Sequence, residues 1–206
     1  MVSSFISTTY ATFLLSFPCY AFLCMGNDSV DTYAGIRMRP EGCTAVLLGG
    51  RPLTFVRRER YTFLYGKRTC VERMPGLARF VGTKVVDTWS PEAVAVVTLT
   101  PGMRLRGTSI DRGHLDGVAL WTAKNTGVTT VLSVSSVHLK RLIPLLRMQT
   151  SAAISTLCRA LSLRTGRDGQ LTRDQFDLEA IGAALFAASS MGVALPAWAE
   201  QPRAAG

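Results

Sequence analysis

Charge of either sign is missing from the start of this sequence: no charged residue precedes Asp28. Over the whole chain negative charge is the scarcer, with 14 aspartates and glutamates against 23 lysines and arginines and a formal net charge of +9. Such a surplus attracts phosphate-bearing polymers or an anionic membrane surface. Histidine is nearly absent, at two residues, and the five cysteines (Cys19, Cys24, Cys43, Cys70 and Cys158) stand at irregular spacings without a C-x-x-C pair. Neither a zinc framework nor a disulfide framework is legible in them, so the sequence predicts no metal, and reduced thiols. A P-loop, the glycine fingerprint of dinucleotide-binding folds, G-x-S-x-G and H-E-x-x-H are also missing. The common nucleotide-dependent and zinc-protease classes are thereby out of easy reach, and no cofactor is expected.

Hydrophobic residues make up 48% of the 206, and charged residues only 18%. That is enough to bury a full core and too apolar for a long solvated tail. Residues 1–24 lack charge and glycine and hold four of the nine phenylalanines. The apolar run from Tyr10 to Met25 is 16 residues long and contains Pro18, whereas a spanning helix needs about 20 residues. It has no positive segment before it, as a signal peptide would. Three readings stand: an over-called start with Met25 opening the protein, a signal or weak membrane anchor, or a buried segment. A cytoplasmic protein is expected, with a membrane-anchored or secreted one as the alternative through residues 1–24.

Residues 25–134 read as the β-rich part of a single domain. Thr44–Leu48 and Pro52–Val56 flank Gly49-Gly50, and a Gly-Gly pair between apolar runs supplies the positive φ of a tight hairpin. Further strands are predicted at 60–65, 68–72, 84–88, 93–99, 103–108, 117–123 and 128–134. Arg104 and Arg106 alternate with apolar neighbours and are assigned to a solvent face, while Ala93–Val97 is apolar on both faces and demands cover on both. Residues 135–195 read as the helical part: a segment capped by Ser136 and stopped by Pro144, a helix at 146–163, and a helix opened by the capping box Thr172-Arg-Asp-Gln175, running to about Ser190 and ended by Gly192. Residues 196–206 read as a loose tail. The fold class predicted is α+β, a largely antiparallel sheet over about 36–134 covered by C-terminal helices.

Three segments carry candidate chemistry. Arg57, Arg58, Arg60, Lys67, Arg68 and Arg73 bracket Tyr61, Phe63 and Tyr65, which alternate along a strand. A basic rim around an aromatic face is how sheet-based proteins hold single-stranded nucleic acid, phosphates on arginines and bases stacked on rings. Asp111-Arg-Gly-His114-Leu-Asp116 places two carboxylates and an imidazole in an expected inter-strand loop, the minimum for general acid–base catalysis or a partial metal site. Asp168–Phe176 resembles the second half of an EF-hand loop and its exit helix, but the positions at which calcium needs oxygen ligands hold Arg164, Gly166, Asp168 and Gln175, so no calcium site is expected.

The run of short strands over 93–134 followed by Ser135-Ser-Val-His-Leu-Lys-Arg-Leu-Ile143 resembles the meander-then-helix half of a bacterial sliding-clamp domain, and implies an antiparallel meander. Taken together, the sequence favours a small, basic, non-catalytic protein that binds single-stranded nucleic acid or acts as a regulatory factor. A hydrolase-like enzyme using Asp111, His114 and Asp116 is one alternative. A membrane-associated interaction protein, dependent on residues 1–24, is the other.

Overall fold

In a computed structural model the described residues are 31–63, 69–100, 107–147, 152, 153, 155–157 and 174–200. The apolar stretch 1–24, the EF-hand-like positions 164–173 and the Arg104/Arg106 segment lie outside them. Five strands form one sheet: β1 (Thr32–Arg39), β2 (Gly42–Gly49), β3 (Thr54–Thr62), β4 (Ala93–Thr98) and β5 (Thr130–Ser135), in the order β3-β2-β1-β4-β5. The helices are α1 (Cys70–Arg79), continued by a π-helical segment Phe80–Asp87, then α2 (Gly107–Asn125), α3 (Ser136–Leu142), a 3₁₀ turn Pro144–Arg147, α4 (Gln175–Ser190) and the short α5 (Ala197–Glu200).

The α+β class matches the sequence reading, but the sheet is mixed. β1, β2 and β3 form an antiparallel meander, whereas β1–β4 and β4–β5 pair in parallel. The reason lies in the connections. The β2–β3 hairpin turns at Gly50, whose φ is +89°, as the Gly-Gly pair predicts. Each of β4 and β5, in contrast, follows a helix that carries the chain back across the sheet.

That helical traffic was read in the sequence as strands. The segments 68–72, 84–88 and 117–123 fall in or beside α1, the π-helical segment and α2. The meander implied by the sliding-clamp resemblance is therefore replaced by β4–α2–β5. The helical signal is there in retrospect: Leu115, Ala119 and Ala123 are buried at a spacing of four, one face of a helix. Thr69-Cys-Val-Glu72 is a capping box in which the threonine side chain accepts from the Glu72 amide while Glu72 accepts from the Thr69 amide. Among the later elements, Ser135 rather than Ser136 caps α3, accepting from the His138 amide. α4 is capped two residues beyond the predicted Thr172, with Asp174 accepting from the Phe176 amide, and runs to Ser190 ahead of Gly192 as expected.

Both faces of the central strands are covered. On one, Tyr33, Val46, Leu48, Ala95 and Val97 pack against α3 and α4 through Leu139, Ile143, Ile181 and Leu185. On the other, Ile36, Met38, Ala45, Leu47, Val94 and Val96 pack against α1, the π-helical segment and α2. Only the first cover comes from the C-terminal third. Among the described residues no helix is long and apolar enough to cross a membrane.

α4 approaches the sheet with unusual closeness because of what both sides lack. Gly35 on β1 has no side chain, and a Cβ there would stand 2.0 Å from the Ala180 carbonyl oxygen and 2.4 Å from the Ala184 amide nitrogen. The facing helix is lined with Ala180, Ala183 and Ala184, all fully buried. Gly35→Ala should therefore force backbone apart and cost more than about 3 kcal/mol, or abolish folding. Gly117→Ala in the middle of α2, where nothing lies within 4 Å of the added atom, should stabilise by about 0.5–1 kcal/mol through helix propensity. Urea denaturation of the two variants checks both signs.

Candidate functional site

The carboxyl-terminal ends of β1, β4 and β5 lie at one rim, the side on which open α/β sheets place their ligands. β1 alternates Tyr33, Gly35, Arg37 and Arg39 towards α4. Arg37 pairs across β2 with Thr44, which in turn pairs with Arg60 on β3, so the two arginines stand in one row across three strands. Arg58, two residues back on β3, shares the face of Arg60. Over this basic row α4 sets down its amino end, bearing Asp174, Asp177 and Glu179.

The resulting network is dense and mostly buried. Arg37 donates to Glu179 Oε2, both groups lying in the interior, and Gln175 donates to the other oxygen at 3.1 Å. Asp177, 1% exposed, accepts from Arg58 on Oδ2 at 2.5 Å and from Arg60 on Oδ1 and Oδ2 at 3.1 and 3.0 Å. Asp174 accepts on Oδ2 from Arg39 at 2.5 Å and Arg60 at 3.2 Å, and on Oδ1 from the Phe176 amide. The Phe176 ring underlies Arg39 and Arg37, at 5.0 and 5.4 Å from centroid to guanidinium carbon, a cation–π contact that holds both planes. Burial raises the Glu179 carboxyl above its ordinary value, against hydrogen bonds from Gln175 and Ser136 and the charges of Lys140 and Arg112.

Arg112 joins this network to a second cluster on α2. The Asp111–Asp116 segment, expected as a loop, is the first half of that helix, and the helical turn separates its groups. Asp116 is 2% exposed, with Oδ2 3.8 Å from Arg112 Nε. Neither carboxylate oxygen, nor that nitrogen, has a hydrogen-bond partner among the described residues. Burial pushes the Asp116 carboxyl up to about 7, against the pull of the Arg112 charge and of the Leu99 amide, which lies near without ordinary hydrogen-bond geometry. At 3.8 Å the two groups form an ion contact longer than a hydrogen bond. Asp111 and His114 lie together on another face of α2, exposed, beside the buried Cys70.

The remaining sequence candidates are spread apart. Arg57 points away from Arg58 and pairs with Glu59 at 3.0 Å on the surface. Tyr61 stacks on Phe80 at 5.4 Å and meets Phe63 edge-on at 5.6 Å, and Phe63 is only 6% exposed. Phe63 lies in the core above α1, and the half-buried Tyr61 packs against that core with one ring face covered by Phe80. Arg73 caps the Phe63 ring at 5.2 Å. Tyr65, Lys67 and Arg68 lie outside the described residues. Sequence reasoning passed over Arg37, Arg39, Arg112, Asp174, Asp177 and Glu179. The available signals were the alternation Arg37-Met-Arg39 and the i, i+3 spacing of Asp174 and Asp177.

No family model matches the sequence, and no curated protein matches it. Solved structures do. RuvC of T. thermophilus in complex with a Holliday junction substrate superposes with a TM-score of 0.60 at 19% identity, over 81% of this chain and 99% of that one. The Thermus thermophilus RuvC structure gives 0.58 at 20%, over 80% and 99%. The yeast mitochondrial Holliday junction resolvase Ydc2 gives 0.50 at 9%, over 73% and 75%. The chain shares the fold of these structures. Similarity to solved Holliday junction resolvases overturns the expectation of a non-catalytic single-strand binder, and Phe63, in the core, and the half-buried Tyr61, stacked on Phe80, are taken up by packing.

Enzymes of the resolvase fold typically use metal, and the carboxylates at the amino end of α4 are where such an ion would be sought. They do not fit one. All six oxygens of Asp174, Asp177 and Glu179 already accept hydrogen bonds, from Arg37, Arg39, Arg58, Arg60, Gln175 and the Phe176 amide. Four guanidinium groups against three carboxylates leave no negative charge for a divalent ion to neutralise.

Two outcomes follow for stability. Arg37→Met strands Glu179 as an unpaired buried charge and should cost about 3–5 kcal/mol, while Arg37→Met with Glu179→Met should recover most of the loss; a double-mutant cycle in urea reads the coupling. Asp116 behaves oppositely to a paired carboxylate. Its unfolded value is 3.8 and its folded value about 7, so between these limits the folded chain holds a proton that the unfolded chain releases. Its contribution is greatest below pH 4 and falls as pH rises towards 7. Asp116→Asn should flatten that decline and stabilise the protein by a few kcal/mol, on the order of 2–4, at about pH 8 relative to about pH 4.

Proposed function

We propose that this protein is a hydrolase of the nucleic-acid backbone, with branched DNA as its substrate class. The observation that carries the reading is the match to resolvases over 99% of the length of T. thermophilus RuvC, one of those structures being bound to a Holliday junction. The +9 net charge supports it as a source of long-range attraction to phosphate. So does the concentration of arginines and acids at the carboxyl rim of the sheet.

In this reading the backbone crosses the rim between the amino end of α4 and α2. Arg39 and Arg60, the more accessible members of the arginine row relative to Arg37 and Arg58, meet flanking phosphates. The reacting phosphoryl group takes the position between Arg112 and Asp116. Water attacks the phosphorus and forms the new P–O bond as the bond to the leaving oxygen breaks; Arg112 donates to a phosphoryl oxygen, Asp116 gives its proton to the leaving oxygen, and the attacking water releases its proton to solvent. The chemistry is that of the hydrolase alternative read from the sequence, narrowed from Asp111, His114 and Asp116 to Asp116 alone and completed by Arg112. No step passes through a metal at the α4 carboxylates.

The test is cleavage of a labelled four-way junction, a linear duplex and a single strand by the full chain, with and without added magnesium. Junction cleavage that persists without magnesium and drops about 100-fold or more in Asp116→Asn, with junction affinity unchanged, is the expected result. A protein that binds the junction and leaves it intact under every condition sinks the enzymatic reading, and cutting at full rate by Asp116→Asn sinks the assignment of the acid.

A further inference from the structure

Cys70, Asp111 and His114 lie outside the chemistry above, and the fold brings them together from two helices. One ligand atom from each, the thiol sulfur, a carboxylate oxygen and an imidazole nitrogen, all lie within 4.8 Å of one another. Their placement is fixed from both sides. Asp111 and His114 are i and i+3 on α2 and so share one face. Cys70 is the first residue of α1, held by the capping box of Thr69 and Glu72, and its Sγ donates to the Asp111 backbone carbonyl at 3.3 Å. This last contact ties the two helix ends at the point where the three ligand atoms converge.

We propose that Cys70, Asp111 and His114 bind a zinc-like divalent cation with an open fourth position. The donor set selects the ion. One sulfur, one nitrogen and one oxygen suit a borderline-soft cation of tetrahedral preference, whereas magnesium or calcium wants six or more oxygens. Bond lengths of about 2.0–2.3 Å place tetrahedral ligand atoms roughly 3.5 Å apart, so the three atoms close on an ion by small side-chain rotations. Asp111 and His114 are exposed while Cys70 is buried beneath them, which turns the fourth position to solvent. Three protein ligands with an open position are the arrangement of sites that bind an exchangeable water or substrate, as opposed to closed four-ligand structural sites. The expectation of no metal came from local spacing, and this set is assembled from residues 41 apart, the separation of Cys70 and Asp111 in the chain. It stands independently of the cleavage chemistry proposed above.

Cobalt(II) titration of the reduced full chain tests the site, because a cobalt–thiolate bond gives a charge-transfer absorption and a tetrahedral ion gives intense visible bands. The expected result is one cobalt per chain, displaced by zinc, with the charge-transfer band lost in Cys70→Ser and the affinity lowered at least about tenfold in both His114→Ala and Asp111→Asn. The last two side chains are exposed, so those variants keep the fold, and circular dichroism checks Cys70→Ser. No band in the wild-type chain, or a band that survives in Cys70→Ser, overturns the proposal.

Discussion

A buried guanidinium against a buried carboxylate, Arg37 of β1 with Glu179 of α4, is the contact on which the rest of the rim depends. Neither charge could be carried into the interior alone, since the desolvation of each would cost several kcal/mol. Each therefore requires the other, and the requirement fixes the helix in register over the strand. The close approach at Gly35 makes the pairing geometrically possible. With a side chain there, α4 would stand further from the sheet and its first turn would miss the arginine row. Once Glu179 is placed, helical spacing delivers Asp177 and Asp174 to Arg58, Arg60 and Arg39, and the Phe176 ring slides beneath two of the guanidinium groups.

The parts of the fold legible in the sequence were those governed by local rules. The Gly49-Gly50 hairpin and the stop of α4 before Gly192 follow from one or two residues acting on their own backbone, and the doubly covered strand β4 from the unbroken apolar run Ala93–Val97. The misread parts were governed by tertiary context. Residues 117–123 are apolar enough to pass for a strand, and only their distant partners, the β1 and β4 side chains under Leu115, Ala119 and Ala123, make the helical period the one that buries them. The Tyr61/Phe63 alternation does put both rings on one side of the chain, although β3 ends at Thr62. Whether that face meets a base or Phe80 depends on where α1 and its π-helical extension lie, which spacing within β3 does not encode.

The site was less legible than the fold for a related reason. Arg57, Arg58 and Arg60 are adjacent in sequence, yet the pleat sends Arg57 to the surface and the other two under α4, so a run of basic residues split into unlike roles. Conversely, Arg37, Arg60, Asp177 and Glu179 form one unit while spanning 142 residues of chain between Arg37 and Glu179. Asp116 was singled out from its neighbours in sequence, but what distinguishes it is its burial beside Arg112, and Asp111 and His114 are not part of that environment.

The electrostatics of the rim also bear on how nucleic acid would approach it. A cluster of bare carboxylates repels phosphate, and an enzyme built on one depends on bound cations to reverse the sign. Here the reversal is covalently built in: the guanidinium groups of β1 and β3 neutralise the acids of α4 from beneath, and the sum over these seven side chains is positive. In the proposed reading a phosphodiester arriving at Arg39 or Arg60 meets a cluster whose summed charge is already positive. The cost falls on catalysis, because guanidinium groups do not activate water as a metal does. Any chemistry must then come from a group that the network leaves unneutralised. Asp116, buried to one side with Arg112 as its ion-pair partner at 3.8 Å and its oxygens without a hydrogen bond among the described residues, stands outside that network, which is why the proposed reading places the acid there.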